Sequence, residues 1–321
     1  MLRVNVCLSV VAMLLAAAVP AQSQGFPVKP VRLVSPLAPG GGNDTLSRFI
    51  AKYLTEEWRQ QVIVENRPGS GGLVGGEYVS RAAPDGYTMV TAGSGLIVVS
   101  LSYPGRIDLL KDFTHVGVVG EYSSLLAVHP SLPARTVKDV IRLAKSQPGK
   151  INFGSAGNGS AGHLMMEMFR LMADIDIVHV PYKGAGPALI ELMAGQITMV
   201  FNNPLGSMAH IKSGRIYPVA VSGPRRAKAL PDVPTIAESG LPGFNATLFL
   251  GVLAPAGVPR DVLGVLNAAL VKVVQRREVQ DALEKQGMEA VGGTPEDFRE
   301  RIRTDLEKFD KVLRAAKARG N

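Results

Sequence analysis

The stretch "SPLAPGGGNDTLSRF", residues 35–49, sets three glycines, Gly40, Gly41 and Gly42, directly before Asn43, Asp44 and Thr45. The upstream run "VRLVSPL" is short and β-branched and reads as a buried strand. Downstream, "NDTLSRFIAKYL" places capping residues first and apolar spacing after, which predicts a helix start. Strand, glycine turn and helix start together form the layout of an anion site. Unpaired N–H groups at a helix N-terminus carry partial positive charge, and glycine lets a ligand approach the main chain closely. For an isolated loop, glycines that only make the turn weigh about equally. The layout recurs, however, in "INFGSAGNGSAGHLMMEMFRLM", where Ser155, Gly157, Gly159, Ser160 and His163 follow a strand and open a second amphipathic helix.

The second loop invites two catalytic readings and supports neither. Gly157, Gly159 and Gly162 satisfy G-x-G-x-x-G, but a dinucleotide site needs an acid after the next strand, and "IVHV" runs into Pro181 and Tyr182 instead. "FGSAG" and "NGSAG" approach the hydrolase elbow G-x-S-x-G with Phe153 and Asn158 where glycine is required. Three residues after Ser160 on the same helix, His163 is poorly placed for a triad whose histidine must arrive from a distant loop. The five histidines, His115, His129, His163, His179 and His210, lack metal-ligand spacing, so neither a metal nor a cofactor is expected. Ser155, Asn158, Ser160 and His163 still make a donor-rich helix start without an activated nucleophile, which points to binding. Asp44 is expected to cap its own helix, because a carboxylate facing an anion would repel it. A secreted serine hydrolase using Ser155 or Ser160 is the rival reading.

These loops must be held by a framework of alternating strands and helices. Short apolar runs such as "QVIVENR", "YTMVTAG", "HVGVVGEY", "LLAVHP", "ITMVFNN" and "FLGVLAP" alternate with helical patterns along nearly the whole chain, which predicts an α/β fold. A second pair of segments matches as well: "LLAVHPSLPARTVKDVI" and "GVLAPAGVPRDVLGVLN" both run from a strand through a proline corner into a helix. Crossing between domains at these points gives one lobe near residues 26–124 plus 250–321 and another near 125–249, with a shared cleft. The stripe "HLMMEMFRLM" is expected to be a core face, and "PRDVLGVLNAALVKVVQRREVQDALEKQG" reads as one helix.

At the N-terminus, Arg3 and the run "VCLSVVAMLLAAAV" followed by "PAQSQG" read as a secretory signal peptide over residues 1–21, with cleavage after Ala21 or alternatively after Gln24. Export to the periplasm is therefore expected. The only cysteine, Cys7, lies in this segment, so the exported chain would rely on its core rather than on disulfides. The full chain has 321 residues, a net charge of +8 and 6% aromatic residues. A mild positive field favours anionic ligands, while the basic runs "GPRRAKAL" and "FDKVLRAAKARGN" lack the aromatic platforms that nucleic acid would use.

An ordered set of motifs carries a family resemblance: "APGGGNDTLSR", "VIVENRPGSGGLVGGEYVSRAAPDGYTM", "KDFTHVGVV", "INFGSAGNGSAGHLMMEMF", "VHVPYKGAGPALIELMAGQI", "ALPDVPTIAESGLPGF", "GVLAPAGVP" and "GGTPEDF". The chain resembles the Bug-type extracytoplasmic solute receptors of tripartite tricarboxylate transporters. The resemblance implies a type II periplasmic-binding-protein fold, two lobes joined by crossing strands, a small carboxylate ligand, membrane permease subunits as partners and no enzymatic activity. A monomer is expected, and a sensor kinase could replace the permease as the recipient. Carried over by matching motif, Gly41, Gly42, Asn43 and Asp44, with Leu37, Gly93 and Ser94 alongside, would hold the ligand from the first lobe. Ser155, Gly159, Ser160, His163, Tyr182 and Asn202 would meet it from the second. Three positions depart from the family pattern: Leu37 where an aromatic is usual, Phe249 where a tryptophan is usual, and Asn202 where an aspartate is usual. Asn202 both donates and accepts, which suits a carboxyl or carbonyl group better than an ammonium.

Overall fold

The computed structural model describes residues 25–40, 42–158 and 160–318, and the proposed signal peptide lies outside the described residues. Chain order in the first part is β1 (Val31–Ser35), α1 (Gly42–Trp58), β2 (Val62–Asn66), α2 (Leu73–Ser80), β3 (Thr88–Gly93), α3 (Ser94–Ser102) and β4 (Phe113–Tyr122). A second part follows with β5 (Leu125–Val128), α4 (Val137–Ser146), β6 (Asn152–Ser155), α5 (Ala161–Ala173), β7 (Val178–Pro181), α6 (Ala185–Met193), β8 (Met199–Asn202), α7 (Pro204–Lys212) and β9 (Tyr217–Val221). The chain then returns through β10 (Leu248–Pro255), α8 (Arg260–Gln275), α9 (Arg277–Glu284), β11 (Glu289–Gly292) and α10 (Pro295–Ala318).

Among the described residues these strands form two sheets, ordered β11-β4-β10-β3-β1-β2 and β7-β6-β8-β5-β9. In the first, β1 pairs in parallel with β2 and β3, while β10 lies antiparallel between β3 and β4. The second repeats the scheme: β6 is parallel to β7 and β8, and β5 lies antiparallel between β8 and β9. Each sheet is covered on both faces, as parallel pairing requires. Leu33, Ile50, Leu54 and Leu270 pack under α1 and α8 on one side of the first sheet, and Val90, Leu96, Phe249 and Phe298 fill the other. In the second sheet the "HLMMEMFRLM" stripe supplies Met165, Met166 and Phe169 to the core, as its spacing suggested.

The helix starts follow local chemistry. Thr136 caps α4 with a reciprocal box, its hydroxyl accepting from the Asp139 N–H at 3.1 Å while Asp139 accepts from the Thr136 N–H at 3.1 Å. The long helix expected after Pro259 is instead two, because Arg276 adopts an extended ψ of 131°. Its guanidinium meets Glu56 at 2.9 Å and Glu57 at 3.0 Å on α1, so the break re-aims α9 while the side chain ties α8 to α1.

The chain passes between the sheets twice, between β4 and β5 and between β9 and β10. Ser222, fully buried, joins the two passages: its hydroxyl accepts from the Ser124 N–H at 2.9 Å and donates to the Ala246 carbonyl at 2.9 Å. The Ser222 N–H in turn donates to Ser124 O at 2.8 Å. Arg301 of α10 adds a second clamp, pairing with Glu121 at the end of β4 and donating to Thr247 O at 3.0 Å just before β10. Ser222→Ala would leave a buried donor and a buried acceptor without partners. It is expected to destabilise the protein by ~1–3 kcal/mol in urea denaturation. A wild-type unfolding midpoint would show that the passages are held elsewhere.

Candidate functional site

A cleft of about 440 Å³ opens between the two sheets. Its first wall comes from the β1–α1 turn, the β3–α3 junction and β10, and its second from the starts of α5 and α6 and the end of β8. Of the residues expected at the site, Leu37, Asn43, Gly93, Ser94 and Asn202 line it.

On the first wall, Asn43 is the hub of a hydroxyl network. Its side-chain oxygen accepts from Ser35 at 3.0 Å and from Thr91 at 2.9 Å, and the fully buried Ser47 donates to the Asn43 carbonyl at 2.7 Å. With its oxygen so engaged, Asn43, which lines the cleft, has its amide nitrogen as the group left to donate to a ligand. β3 runs straight into α3, whose N-terminal N–H groups receive no side-chain cap. The Ser94 hydroxyl accepts from the Phe249 N–H at 3.1 Å and so welds that helix start to β10. A Cβ on Gly93 would stand 3.2 Å from the Phe249 carbonyl, and this close approach explains glycine there.

Asp44 faces a different set of partners. Its carboxylate accepts from the Gly40 N–H at 2.9 Å, from Arg48 at 3.1 Å and from Asn66 at 2.8 Å. The Gly40 bond first, then Arg48 and Asn66, hold its pKa down to about 2. Asp44 thus closes the glycine turn onto α1 and is not among the cleft-lining residues. Gly42 opens α1, and Gly41 lies outside the described residues.

The second wall differs more from the sequence reading. Gly159 lies outside the described residues, and Ser160 caps α5 by accepting from the His163 N–H at 3.4 Å. Ser155 borders a side pocket of about 50 Å³ that joins the cleft past Gly162, Ala185 and Asn202. Its hydroxyl lies 2.7 Å from His179 Nε2, and His179 stacks on His163 with ring centroids 4.1 Å apart. Tyr182 packs beside Gly154 of the inner strand β6, its N–H donating to Ser155 O at 3.0 Å. Asn202 donates from its amide to Ser207 at 3.1 Å, which leaves its oxygen free to accept. Sequence reasoning missed His179. The signal was the parallel pairing of β6 with β7, which sets Ser155 opposite Pro181, two residues from His179 on the same face.

The imidazoles are kept neutral. Burial lowers both His163 and His179 to about 4, helped at His163 by Arg170 and at His179 by His163. His115, edge-on to Phe298, is likewise lowered to about 4 by burial and then by Arg299. Between pH 6.5 and about 4 the unfolded chain therefore binds more protons than the folded one, so stability is full above pH 6.5 and is lost as pH falls toward 4. Asp44 adds its own loss only below its unfolded value of 3.8. In an NMR titration the three ring signals are expected to stay constant through pH 6.5, with the melting temperature falling below it. A midpoint near 6.5 for His163 or His179 would contradict this geometry.

Residues 46–317 match the tripartite tricarboxylate transporter family receptor profile, and the chain belongs to that family. It is 32% identical over 305 residues to Protein BugT of Bordetella pertussis, covering 94% of each chain. The solved structure of Rpa4515 from R. palustris with adipate superposes with a TM-score of 0.79 at 34% identity, covering 91% of this chain and 98% of that one. MatC from Rhodopseudomonas palustris with bound malate gives 0.76 at 28%, covering 90% and 100%. The two-sheet α/β architecture is the periplasmic-binding-protein fold of these receptors.

Proposed function

We propose that the protein is a periplasmic receptor that captures a small carboxylate between two lobes and presents the closed form to the permease subunits of a tripartite tricarboxylate transporter. The lobes are residues 26–124 plus 250–321 and residues 125–249, and export depends on the segment 1–21. The observation that carries this reading is the cleft itself: two walls from two sheets, each contributing an uncapped helix start, α3 and α6, and an amide side chain, Asn43 and Asn202. Donors on both walls give a ligand contacts in the closed state that the open state lacks, which is the requirement for shifting the population. Adipate and malate in the two related structures support a carboxylate. The family's receptors support a binding role over catalysis.

The 2.7 Å contact between Ser155 and His179 is the one observation that favours a hydrolase. Against it, Ser155 is buried and its oxygen also accepts from the Gly157 N–H at 3.1 Å, which closes a local turn rather than freeing a nucleophile. A fluorophosphonate probe is expected to leave Ser155 unlabelled, and covalent labelling would restore the hydrolase.

A thermal-shift screen of protein refolded free of ligand tests the receptor reading directly. A carboxylate at 100 times its dissociation constant adds ~2.7 kcal/mol of stability. Asn43→Asp keeps acceptors for Ser35 and Thr91 but sets a negative charge on the cleft wall, so it should weaken carboxylate binding at least about tenfold, the factor that 1.4 kcal/mol of like-charge repulsion gives. Unchanged affinity would remove Asn43 from the site.

A further inference from the structure

Among the described residues no charged side chain lines the cleft; the groups that meet a ligand's polar atoms are amides, hydroxyls and main chain. Beside those groups, which include Tyr122, Ser124, Asn203 and Gln286, much of the lining is hydrocarbon and thioether: Leu37, Leu46, Leu96, Met165, Phe201 and Met288. Nearby cations are committed elsewhere, Arg48 to Asp44 and Asn66, and Arg170 to the fully buried Glu167. Phe249 borders the cleft but turns its ring into the core, edge-on to Phe298 at 5.5 Å, so it adds no aromatic platform.

From this we infer, resting on the receptor reading above, that the ligand is an acid with an extended, unsubstituted hydrocarbon body carrying no more than two carboxylates, rather than a compact hydroxylated acid or a tricarboxylate. The uncapped helix starts of α3 and α6 and the Asn43 amide supply only partial positive charge, enough for a carboxylate, while the Asn202 oxygen is an acceptor. A third carboxylate would find no cation among the lining residues, and a hydroxyl set against the leucines and methionines would forfeit its water without a partner. Each methylene placed against that wall is instead withdrawn from water at a gain.

Calorimetric titration of the refolded protein with butanoate, hexanoate and octanoate, with succinate, adipate and suberate, and with malate and citrate tests the assignment. Affinity is expected to rise roughly threefold to fourfold per methylene along at least one of the two series. Malate should bind more weakly than succinate, and citrate more weakly than adipate. Affinity that is flat or falling along both series, or citrate or malate binding more tightly than its comparator, overturns the hydrocarbon assignment while leaving the receptor intact. Failure of every acid to bind, with circular dichroism showing a folded chain, overturns the receptor reading as well. Leu37→Lys supplies the missing cation at a position that is 40% exposed and tolerant of charge. It should raise affinity for citrate relative to hexanoate by tenfold or more. An unchanged ratio would show that the lack of a cation is not what excludes the tricarboxylate.

Discussion

The two sheets are connected through a buried serine hydroxyl. Ser222 accepts from one passage and donates to the other, so the strands entering and leaving the second sheet share one hydrogen-bonded crossing. The site depends on this register. Tyr122 and Ser124 flank the first passage, Leu248 and Phe249 follow the second, and all four border the cleft. A shift of one residue at either passage would exchange the faces of β5 or β10 and turn core side chains toward the ligand. The tolerance is small: a Cβ at neighbouring Gly223 would come within 2.0 Å of Ser123 Oγ.

A second constraint is the way the cleft handles charge. Glu77, Asp139 and Glu238 each have their pKa lowered by hydrogen bonds near arginines or helix starts on the outer surface. Lys228 with Glu284 and Arg225 with Glu289 link the second part of the chain to the α9–β11 turn, outside the cleft. Screened pairs of that kind contribute little each. Their effect is to keep formal charge on the outside, so that fixed dipoles set the field inside.

The alternation of strands and helices was legible in the sequence because apolar periodicity and capping residues are local signals. Thr136 and Ser160 act as caps where their types suggested it, and the two glycine loops do precede α1 and α5. Side-chain direction was less legible. Asp44 was read as a local cap, and Gly40 and Arg48, each four residues away, are its leading partners; the third, Asn66, is 22 residues away and comes close only when β2 pairs with β1. His179 looked like a lone histidine until parallel pairing placed it against Ser155 and His163. The break at Arg276 was hidden for the same reason: its sequence is a good helix former, and its partners Glu56 and Glu57 lie on another helix.

α10, 24 residues long, belongs to both halves of the molecule. Phe298 and Ile302 sit in the core beneath the first sheet, Leu164 of α5 joins that same core beside Phe309, and Val312 enters the core of the second sheet. A rod of about 36 Å seated in two bodies acts as an axle. In the receptor proposed above, such a rod would accommodate a swivel about its axis more readily than a motion that pulls its ends apart. Any closure of the proposed lobes would then be guided by a helix that does not line the cleft.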